Sequence, residues 1–298
     1  MPTPGLDGGR GPDFIIVGGA RCGTTTLHGW LSAQPRVFMP AQKEPSYFLS
    51  ETVDYGVKSS AEYYRLFAAA GDRVTGEASA GYLADPGAAD RIAAELGDVR
   101  IIIALRDPVA RAFSLHTWML SEGLEPIGTF EQALAAEQAR AADLSLVARY
   151  RQSRWDYMYR GSGLYSTQVD AYLRRFSNVL VLLTEDLAQQ PQDTFARVCR
   201  FIGVPPAPIA PGPTNTGHRP RSIGLQLWAR RSLQWLDDRS PPGRWLFDRA
   251  LWRAMEANRR AGHPVRIDPA VAQLLREGYA ADVERTAALI GRDLGAWR

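Results

Sequence analysis

The chain is poor in lysine and in cysteine. Lysine occurs at only two of the 298 positions, Lys43 and Lys58, so 33 of the 35 basic residues are arginine. Any binding of anions must therefore rely on guanidinium groups, which favour planar, bidentate contacts. Two cysteines, Cys22 and Cys199, are too few for a disulfide framework or for a zinc site built from cysteines. This cysteine content predicts a reducing compartment.

Long hydrophobic runs are also missing. The first apolar run, residues 14–17, is too short for the hydrophobic region of a signal peptide, and no stretch approaches the roughly 18 apolar residues of a membrane span. A net charge of +3 is too small to indicate nucleic acid as a partner. We therefore expect a cytoplasmic protein without a transmembrane segment, and the sequence does not define its oligomeric state.

Apolar patterning predicts an α/β fold. Three continuous apolar runs predict strands: residues 14–17, 99–105 and 179–184. Because these runs do not alternate with polar residues, they indicate a parallel sheet that is covered on both faces. Three segments with helical spacing predict helices next to them: residues 24–32, 109–120 and 166–176. For the second of these helices, Asp107 is the predicted N-cap and Pro108 the first helical residue.

The remaining segments complete the predicted organisation. Residues 1–13 are predicted as a flexible tail, and residues 14–298 as one domain with a central parallel β-sheet flanked by helices. Residues 130–150 and 269–297 are predicted helical, whereas 209–222 is rich in Pro, Gly, Thr and Asn and is predicted as a loop. From Gly224 onward an arginine-rich stretch is predicted to form helical hairpins or a partner surface. It contains four tryptophans: Trp228, Trp235, Trp245 and Trp252. These rings are candidates for contact with a hydrophobic acceptor or a membrane surface.

A glycine turn between the first strand and the first helix predicts a phosphate site. The spacing of Gly18 and Gly23 matches the phosphate-binding loop of nucleotide triphosphatases, so we predict a P-loop-like cradle. The residue after Gly23 is threonine and not lysine, and the only basic residue of the turn is Arg21. Cys22 is not expected to be a phosphatase-type nucleophile, because His28 occupies the place of the arginine which that motif requires.

A second anion site is predicted at Arg106 and Ser114. Arg106 ends a predicted strand, at the edge of the sheet where ligands bind in open α/β folds, and Ser114 lies on the following helix. The alternative for Arg106 is a structural ion pair with Asp107 or another carboxylate. Two phosphate pockets on neighbouring strands indicate a nucleotide with phosphates at both ends of its ribose.

Six segments form an ordered set of motifs along the chain: residues 21–27, 43–48, 76–82, 106–114, 163–168 and 289–297. This set resembles the motifs of sulfotransferases that use 3′-phosphoadenosine 5′-phosphosulfate (PAPS), most closely the branch of heparan sulfate sulfotransferases and bacterial relatives. The resemblance implies an enzyme that transfers a sulfuryl group by in-line displacement to a hydroxyl or amine of a small-molecule, glycan or lipid acceptor. It implies PAPS as co-substrate, and the implied reaction requires no metal.

The same resemblance implies roles for individual residues. The 5′-phosphosulfate would be bound by Arg21, Cys22, Gly23, Thr24, Thr25 and Thr26. Arg106 and Ser114 would bind the 3′-phosphate, and Tyr165 would line the adenosine pocket, with core packing as its alternative. A late loop, residues 215–222, would close over the 3′-phosphate through His218, Arg219 and Arg221.

The catalytic residues predicted from the resemblance are Glu44, Arg21 and Lys43. Glu44 is the predicted general base, because the glutamate of the family's Lys-Glu-Pro motif faces the acceptor and the following proline favours an extended backbone. Arg21 and Lys43 would stabilise the departing phosphate and the transferred group. Glu77 and His116 are alternative bases, and an ion pair with Lys43 or an arginine is the structural alternative for Glu44.

Two departures from the family and two other functions stay open. Many family members have lysine where this chain has Arg21, and the heparan branch has lysine where this chain has Ala78. A P-loop kinase or hydrolase is the second enzyme hypothesis, which the missing loop lysine disfavours. A non-catalytic module that binds adenosine bisphosphate is the hypothesis from another functional class.

Overall fold

The computed structural model describes residues 10–50, 53, 56–143, 145–209, 218–240, 244–260 and 263–298. The chain divides into two compact units. The first unit comprises Met1–Arg111, Gly161–Pro213 and Gly278–Arg298, and the second comprises Ala112–Arg160 and Thr214–Glu277. The single domain predicted for residues 14–298 stays a prediction.

The described residues of the first unit form a five-stranded parallel sheet with the order β2-β3-β1-β4-β5. Its strands are β1 (Phe14–Ile16), β2 (Val37–Phe38), β3 (Val74–Ala78), β4 (Arg100–Leu105) and β5 (Val179–Leu183). In the centre of the sheet, Ile15 lies opposite Glu77 on one side and Ile101 on the other. The α/β class and the three predicted strands are confirmed as β1, β4 and β5, whereas β2 and β3 were not predicted.

Nine of the thirteen helices in the described part of the chain lie in segments predicted as helical, whereas those at residues 60–65, 88–96, 184–189 and 191–202 were not predicted. In chain order they are α1 (Thr24–Ser32), α2 (Ser60–Arg65), α3 (Ala88–Leu96), α4 (Pro108–Ser121), α5 (Phe130–Ala135), α6 (Glu137–Ala142), α7 (Ser145–Tyr150), α8 (Tyr165–Leu173), α9 (Thr184–Gln189), α10 (Pro191–Ile202), α11 (Ile223–Arg239), α12 (Arg244–Arg260) and α13 (Pro269–Ile290). The start of α4 has the predicted cap, because the Asp107 carboxylate accepts the N–H of Val109 at 2.8 Å. The segment predicted as helical over 130–150 is divided among α5, α6 and α7.

One hydrophobic core lies between the sheet and two helices of the first unit. α1 contributes Leu27, Trp30 and Leu31, whose spacing places them on one helix face. The buried face of α10 contributes Phe195, Val198, Cys199 and Ile202. Burial of each large aliphatic or aromatic side chain contributes about 1.5–3 kcal/mol, so this packing fixes α1 and the loop before it against the sheet.

Ordered structure begins before the first strand. Residues 1–9 lie outside the described residues, but Asp13, assigned to the tail by the sequence, is bonded to β3. Its carboxylate accepts the N–H and the hydroxyl of Thr75 at 2.7 and 2.9 Å, and Arg10 donates to the same carboxylate at 2.9 Å. Residues 10–13 are therefore part of the folded unit.

The second unit is largely helical. α11 and α12 pack against each other, which confirms the predicted helical hairpin. The predicted loop 209–222 falls partly on residues outside the described ranges, and its end forms β6 (His218–Arg219), which pairs with β7 (His263–Pro264). Among the described residues, none of the helices has the length and apolar character needed to cross a membrane.

Candidate active site

The loop between β1 and α1 is a tight turn that glycine makes possible. A Cβ atom on Gly18 would lie 2.4 Å from the backbone nitrogen of Ala104 in β4, so a side chain has no room there. Gly23 has a φ of 85° and precedes the first residue of α1. That left-handed conformation is accessible to glycine at little cost. The predicted P-loop-like turn is therefore present between a buried strand and a helix N-terminus.

The N-terminus of α1 presents backbone N–H groups to an anion. The first hydrogen bond of the helix runs from the N–H of Leu27 to the carbonyl of Gly23, at 3.1 Å. By helix geometry the amides of Thr24, Thr25 and Thr26 have no acceptor within α1, and the helix dipole adds positive potential at this end. The arrangement suits a phosphate or sulfate group.

Cys22 packs beneath this loop. Its side chain is fully buried, and its sulfur lies 3.9 Å from the hydroxyl oxygen of Tyr165. Burial raises the pKa of the thiol to about 11, so the thiol is protonated at neutral pH. The N–H of Cys22 donates to the carbonyl of Gly19 at 3.1 Å. The thiol of Cys22 packs against Tyr165, and its N–H is bonded within the loop. The predicted contact of Cys22 with the nucleotide stays a prediction.

Arg106 lies directly against the loop. Its Nη1 donates to the carbonyl oxygen of Arg21 at 3.3 Å, and its own carbonyl accepts the hydroxyl of Tyr165 at 2.9 Å. No carboxylate among the described residues pairs with the Arg106 guanidinium, so the ion pair considered as its alternative is not formed there. Tyr165 is 1% exposed and packs near Trp297, with ring centroids 6.1 Å apart. Tyr165 therefore positions Arg106, and its predicted contact with adenosine stays a prediction.

Four residues predicted to bind the 3′-phosphate belong to the second unit. Ser114 lies on α4, and His218 and Arg219 form β6. The N–H of Arg221 donates to the carbonyl of Asn258 at 3.1 Å, just before α11 begins. The predicted role of these residues stays a prediction.

Glu44 is held at the carboxyl end of β3. Its N–H donates to the carbonyl of Ala78 at 3.0 Å, and its Oε2 accepts the N–H of Ala80 at 2.7 Å. Its φ is 58°, so the extended backbone predicted from Pro45 is wrong. A left-handed residue costs about 1–3 kcal/mol, and the two bonds to the end of β3 offset the local preference imposed by the proline.

Lys43 donates a hydrogen bond to Oε1 of Glu44, so the ion pair considered as the alternative for Glu44 is present. His28 of α1 lies near this pair, with Nε2 3.3 Å from the carbonyl of Pro40. Burial lowers the pKa of His28, although the hydrogen bond with the Pro40 carbonyl opposes the shift. Sequence reasoning missed this histidine, whose only signal is its place one turn into the helix after the loop.

Glu77 lies in an enclosed polar cluster on β3. The carboxyl group is 1% exposed and accepts hydrogen bonds from Tyr63 at 2.9 Å, Tyr82 at 3.1 Å and Ser79 at 2.7 Å. Burial raises its pKa to about 7, although these hydrogen bonds oppose the shift. The Ser79 hydroxyl also accepts the N–H of Ser46 at 3.0 Å. Enclosure on all sides favours a supporting role for Glu77 over contact with an acceptor.

His116, the other alternative base, is buried in the second unit. Its Nε2 lies 3.0 Å from the carbonyl of Ile127, and its ring packs near Phe130 and Tyr159. Burial lowers its pKa. These contacts give His116 a packing role in that unit.

Arg111 is a further charged residue near the loop that sequence reasoning did not single out. It is 1% exposed, acts electrostatically on Cys22 and hydrogen-bonds to Tyr279. A buried guanidinium adds fixed positive potential beside the loop that is predicted to bind an anion. Its signal in the sequence is its place within the motif of residues 106–114.

The first unit thus brings three predicted features to one edge of the sheet. The loop follows β1, Arg106 follows β4, and Glu44 is bonded to the end of β3, and these strands are neighbours. Among the described residues, no three His, Cys, Asp or Glu side chains form a cluster that could hold a metal ion.

Comparisons with known proteins agree with this arrangement. A family model described as "Sulfotransferase family" matches residues 12–208. A crystal structure of a sulfotransferase from Alicyclobacillus acidocaldarius superimposes with a TM-score of 0.69 at 29% identity, covering 96% of this chain and 98% of that one. Human heparan sulfate glucosamine 3-O-sulfotransferase 3B1 is 30% identical over 65% of this chain and 46% of its own length.

A second human relative matches a smaller part of its own length. The bifunctional heparan sulfate N-deacetylase/N-sulfotransferase 2 is 27% identical over 66% of this chain and 22% of that protein. The chain therefore spans less than half the length of these two curated relatives.

Proposed function

Because the chain belongs to the sulfotransferase family, we propose that it transfers a sulfuryl group from PAPS to a hydroxyl or amine of an acceptor. The observation that carries this proposal is the meeting of the loop, Arg106 and Glu44 at the ends of three neighbouring strands. Ligands of open α/β sheets bind at this edge. The site offers cations and amides to an anionic donor, and a carboxylate to the acceptor.

The proposed reaction is an in-line displacement at sulfur. The acceptor oxygen or nitrogen forms a bond to sulfur while the bond between sulfur and the bridging oxygen breaks. The electron pair of the broken bond stays on the bridging oxygen, so negative charge grows on the departing adenosine 3′,5′-bisphosphate. Arg21 and the amides of residues 24–26 stabilise this charge, and Arg106 binds an anionic group of the nucleotide. The scheme uses no metal ion.

Glu44 takes the proton that the acceptor loses. The Ala80 amide and Lys43 both donate to its carboxylate, which orients the group. The ion pair with Lys43 is compatible with this role, because a base must be ionised before it accepts a proton. Lys43 is also the nearest ammonium to assist the transferred group.

A glycan is the acceptor class we favour. The two human relatives are named for heparan sulfate, one for 3-O-sulfation of glucosamine and one for N-sulfation. We therefore place a hydroxyl or amino group of an amino sugar first, ahead of small molecules and lipids. The two free, buried cysteines support a reducing, cytoplasmic location.

Calorimetric titration tests the nucleotide site. Adenosine 3′,5′-bisphosphate is expected to bind without magnesium, and Arg106→Ala is expected to weaken it by about 10- to 100-fold, the usual loss of a charge-assisted hydrogen bond. Arg100→Ala is the matched control, since Arg100 is exposed at the opposite end of the same strand. Preferential binding of ATP that depends on magnesium would replace this proposal with the kinase-like one.

Glu44→Gln tests the chemistry separately. Transfer from PAPS to unsulfated heparosan or its N-deacetylated form is expected to fall by about 10²- to 10⁴-fold, while affinity for the bisphosphate is retained. Glu284→Gln is the control, because Glu284 is exposed on α13. Bisphosphate binding without transfer to any acceptor, and with no effect of Glu44→Gln, would identify a binding module instead.

A further inference from the structure

The helical pair α11 and α12 exposes an unusual amount of apolar surface. Nine large hydrophobic side chains are exposed among the described residues, and six of them belong to this pair: Trp228, Trp235, Trp245, Leu246, Phe247 and Trp252. Trp245 and Phe247 are 64% and 61% exposed. Single exposed apolar residues are ordinary on protein surfaces, but a group of this size marks an interaction site.

The exposed rings are not needed to hold the pair together. The pair has its own small core of Ala229, Leu233 and Met255, with Leu251 packed beside it. Gln226 also donates to the carbonyl of Met255 at 3.4 Å. The exposed aromatic residues therefore lie outside the packing that joins the two helices.

A groove runs along this exposed face. On α11, Trp228, Arg231 and Trp235 recur three and four residues apart and so share one side of the helix. Trp228 and Trp235 line the groove from α11, and Phe247 and Ala250 line it from α12. Its volume of about 700 Å³ is bounded mainly by apolar side chains.

The pair is also the basic part of the chain. Residues 223–260 contain eight arginines and four carboxylates, a net charge of +4, whereas the whole chain carries +3. Carboxylates pair with Arg230, Arg244 and Arg259. Among the described residues, no carboxylate pairs with Arg231, which lines the groove, or with Arg239, which contacts Trp235, so these two charges are available to a partner.

Arginine and tryptophan are in direct contact on this surface. The guanidinium carbon of Arg239 lies 4.7 Å from the ring centroid of Trp235 on the groove side. Both residue types have an apolar body and a polar end, which is the character of side chains at a membrane–water interface.

We propose that the groove side of α11 and α12, which carries Trp228, Trp235 and Phe247, binds the surface of a bilayer that contains anionic lipids. The helices lie in the plane of the surface, the aromatic side chains enter the headgroup region, the groove receives part of an acyl chain, and the arginines pair with lipid phosphates. Charge complementarity selects this partner over a second copy of the chain. A two-fold interface through the same face would bring the two basic surfaces together.

Vesicle flotation tests the proposal. The chain is expected to float with vesicles of equal parts phosphatidylcholine and phosphatidylglycerol, to remain behind with phosphatidylcholine alone, and to lose binding as salt rises. On the anionic vesicles, Trp228→Ser with Trp235→Ser is expected to weaken binding about tenfold or more. Replacing Arg231 and Arg239 by Ser is expected to weaken it about thirtyfold.

Two controls separate the surface from general effects. Leu274→Ser on α13 and Arg174→Ser on the end of α8 remove an exposed apolar and an exposed basic residue elsewhere, and both are expected to bind like the wild type. The lipid series on the unaltered chain stands even if a multiple variant fails to fold. Equal binding to neutral vesicles, no binding to anionic ones, or dimerisation in sedimentation that the tryptophan substitutions abolish would each overturn the proposal.

Discussion

The first unit and the α11–α12 pair of the second unit depart from the usual distribution of side chains in opposite ways. The first unit buries the carboxyl group of Glu77 and the guanidinium of Arg111, each with 1% exposure. The helical pair instead exposes Trp228, Trp245 and Phe247, which a core would normally enclose. Charged groups are rarely buried without partners, and large apolar groups are rarely exposed together.

The first unit and the α11–α12 pair therefore obtain their stability in different ways. Glu77 is stable in the interior because three hydroxyl groups donate to it, so its surroundings are built before any ligand arrives. The exposed rings of α11 and α12 contribute little to folding, because much of their apolar surface remains in contact with water. The first unit is stabilised by hydrogen bonds to its buried polar groups, whereas the exposed rings of the helical pair add little to stability.

Gly18→Ala should have the largest effect on stability, because Gly18 packs directly against the backbone of β4 in the first unit. The new methyl group would meet the backbone of β4 at 2.4 Å, and we expect a loss of at least about 3 kcal/mol in the free energy of unfolding or failure to fold. Gly29→Ala on α1 is the control, since nothing lies within 4 Å of its Cβ position. It should gain about 0.5–1 kcal/mol in chemical denaturation. Equal effects of the two changes would contradict the close approach.

Leu233→Ala and Trp235→Ala compare a core residue with an exposed residue of the α11–α12 pair. Leu233 is part of the core of the helical pair, so its truncation should cost about 2–3 kcal/mol of unfolding free energy. Trp235→Ala removes a larger side chain, yet it should change stability by no more than about 1 kcal/mol, because the ring is 51% exposed and contacts Arg239. Denaturant titration of both variants measures the difference. A cost for Trp235→Ala as large as that for Leu233→Ala would place the ring in the core.

The pH dependence of stability tests Glu77. Its pKa is about 7 in the folded chain and near 4.5 when unfolded, so between these values the folded state holds a proton that the unfolded state has lost. Stability from this group must therefore fall as the pH rises from about 4.5 to 7, at most by about 1.4 kcal/mol per pH unit. Glu77→Gln should remove that contribution, seen as a flatter profile of unfolding free energy across this range. Parallel profiles for the wild type and the variant would refute the raised pKa.

The fold was predictable where burial is continuous along the sequence. β1, β4 and β5 come from uninterrupted apolar runs, and their predicted boundaries agree with the structure to within one residue. β3 was missed because a buried strand with the sequence Val-Thr-Gly-Glu-Ala lacks an apolar run. Its polar groups are satisfied by distant residues, such as Asp13 for Thr75 and Tyr63 for Glu77, and no local pattern shows such partners.

The candidate site was predictable as a set of motifs but not in its geometry. Glycine spacing located the loop, and strand ends located Arg106. The backbone of Glu44 was mispredicted, because bonds to Ala78 and Ala80 depend on the pairing of β3, which the sequence analysis lacked. His28 and Arg111 carry no spacing signal that separates them from ordinary helix residues.

The burial of both thiols has a practical consequence for spectroscopy. Cys22 and Cys199 are fully buried and their pKa values are raised to about 11, so at pH 7 only about one molecule in ten thousand carries a reactive thiolate at either position. The unaltered chain should therefore react very slowly with maleimide dyes and with thiol-specific spin labels. Arg174→Cys in the first unit and Trp245→Cys in the second would add two selectively labelled positions, and the distance between the probes would report the arrangement of the units in solution.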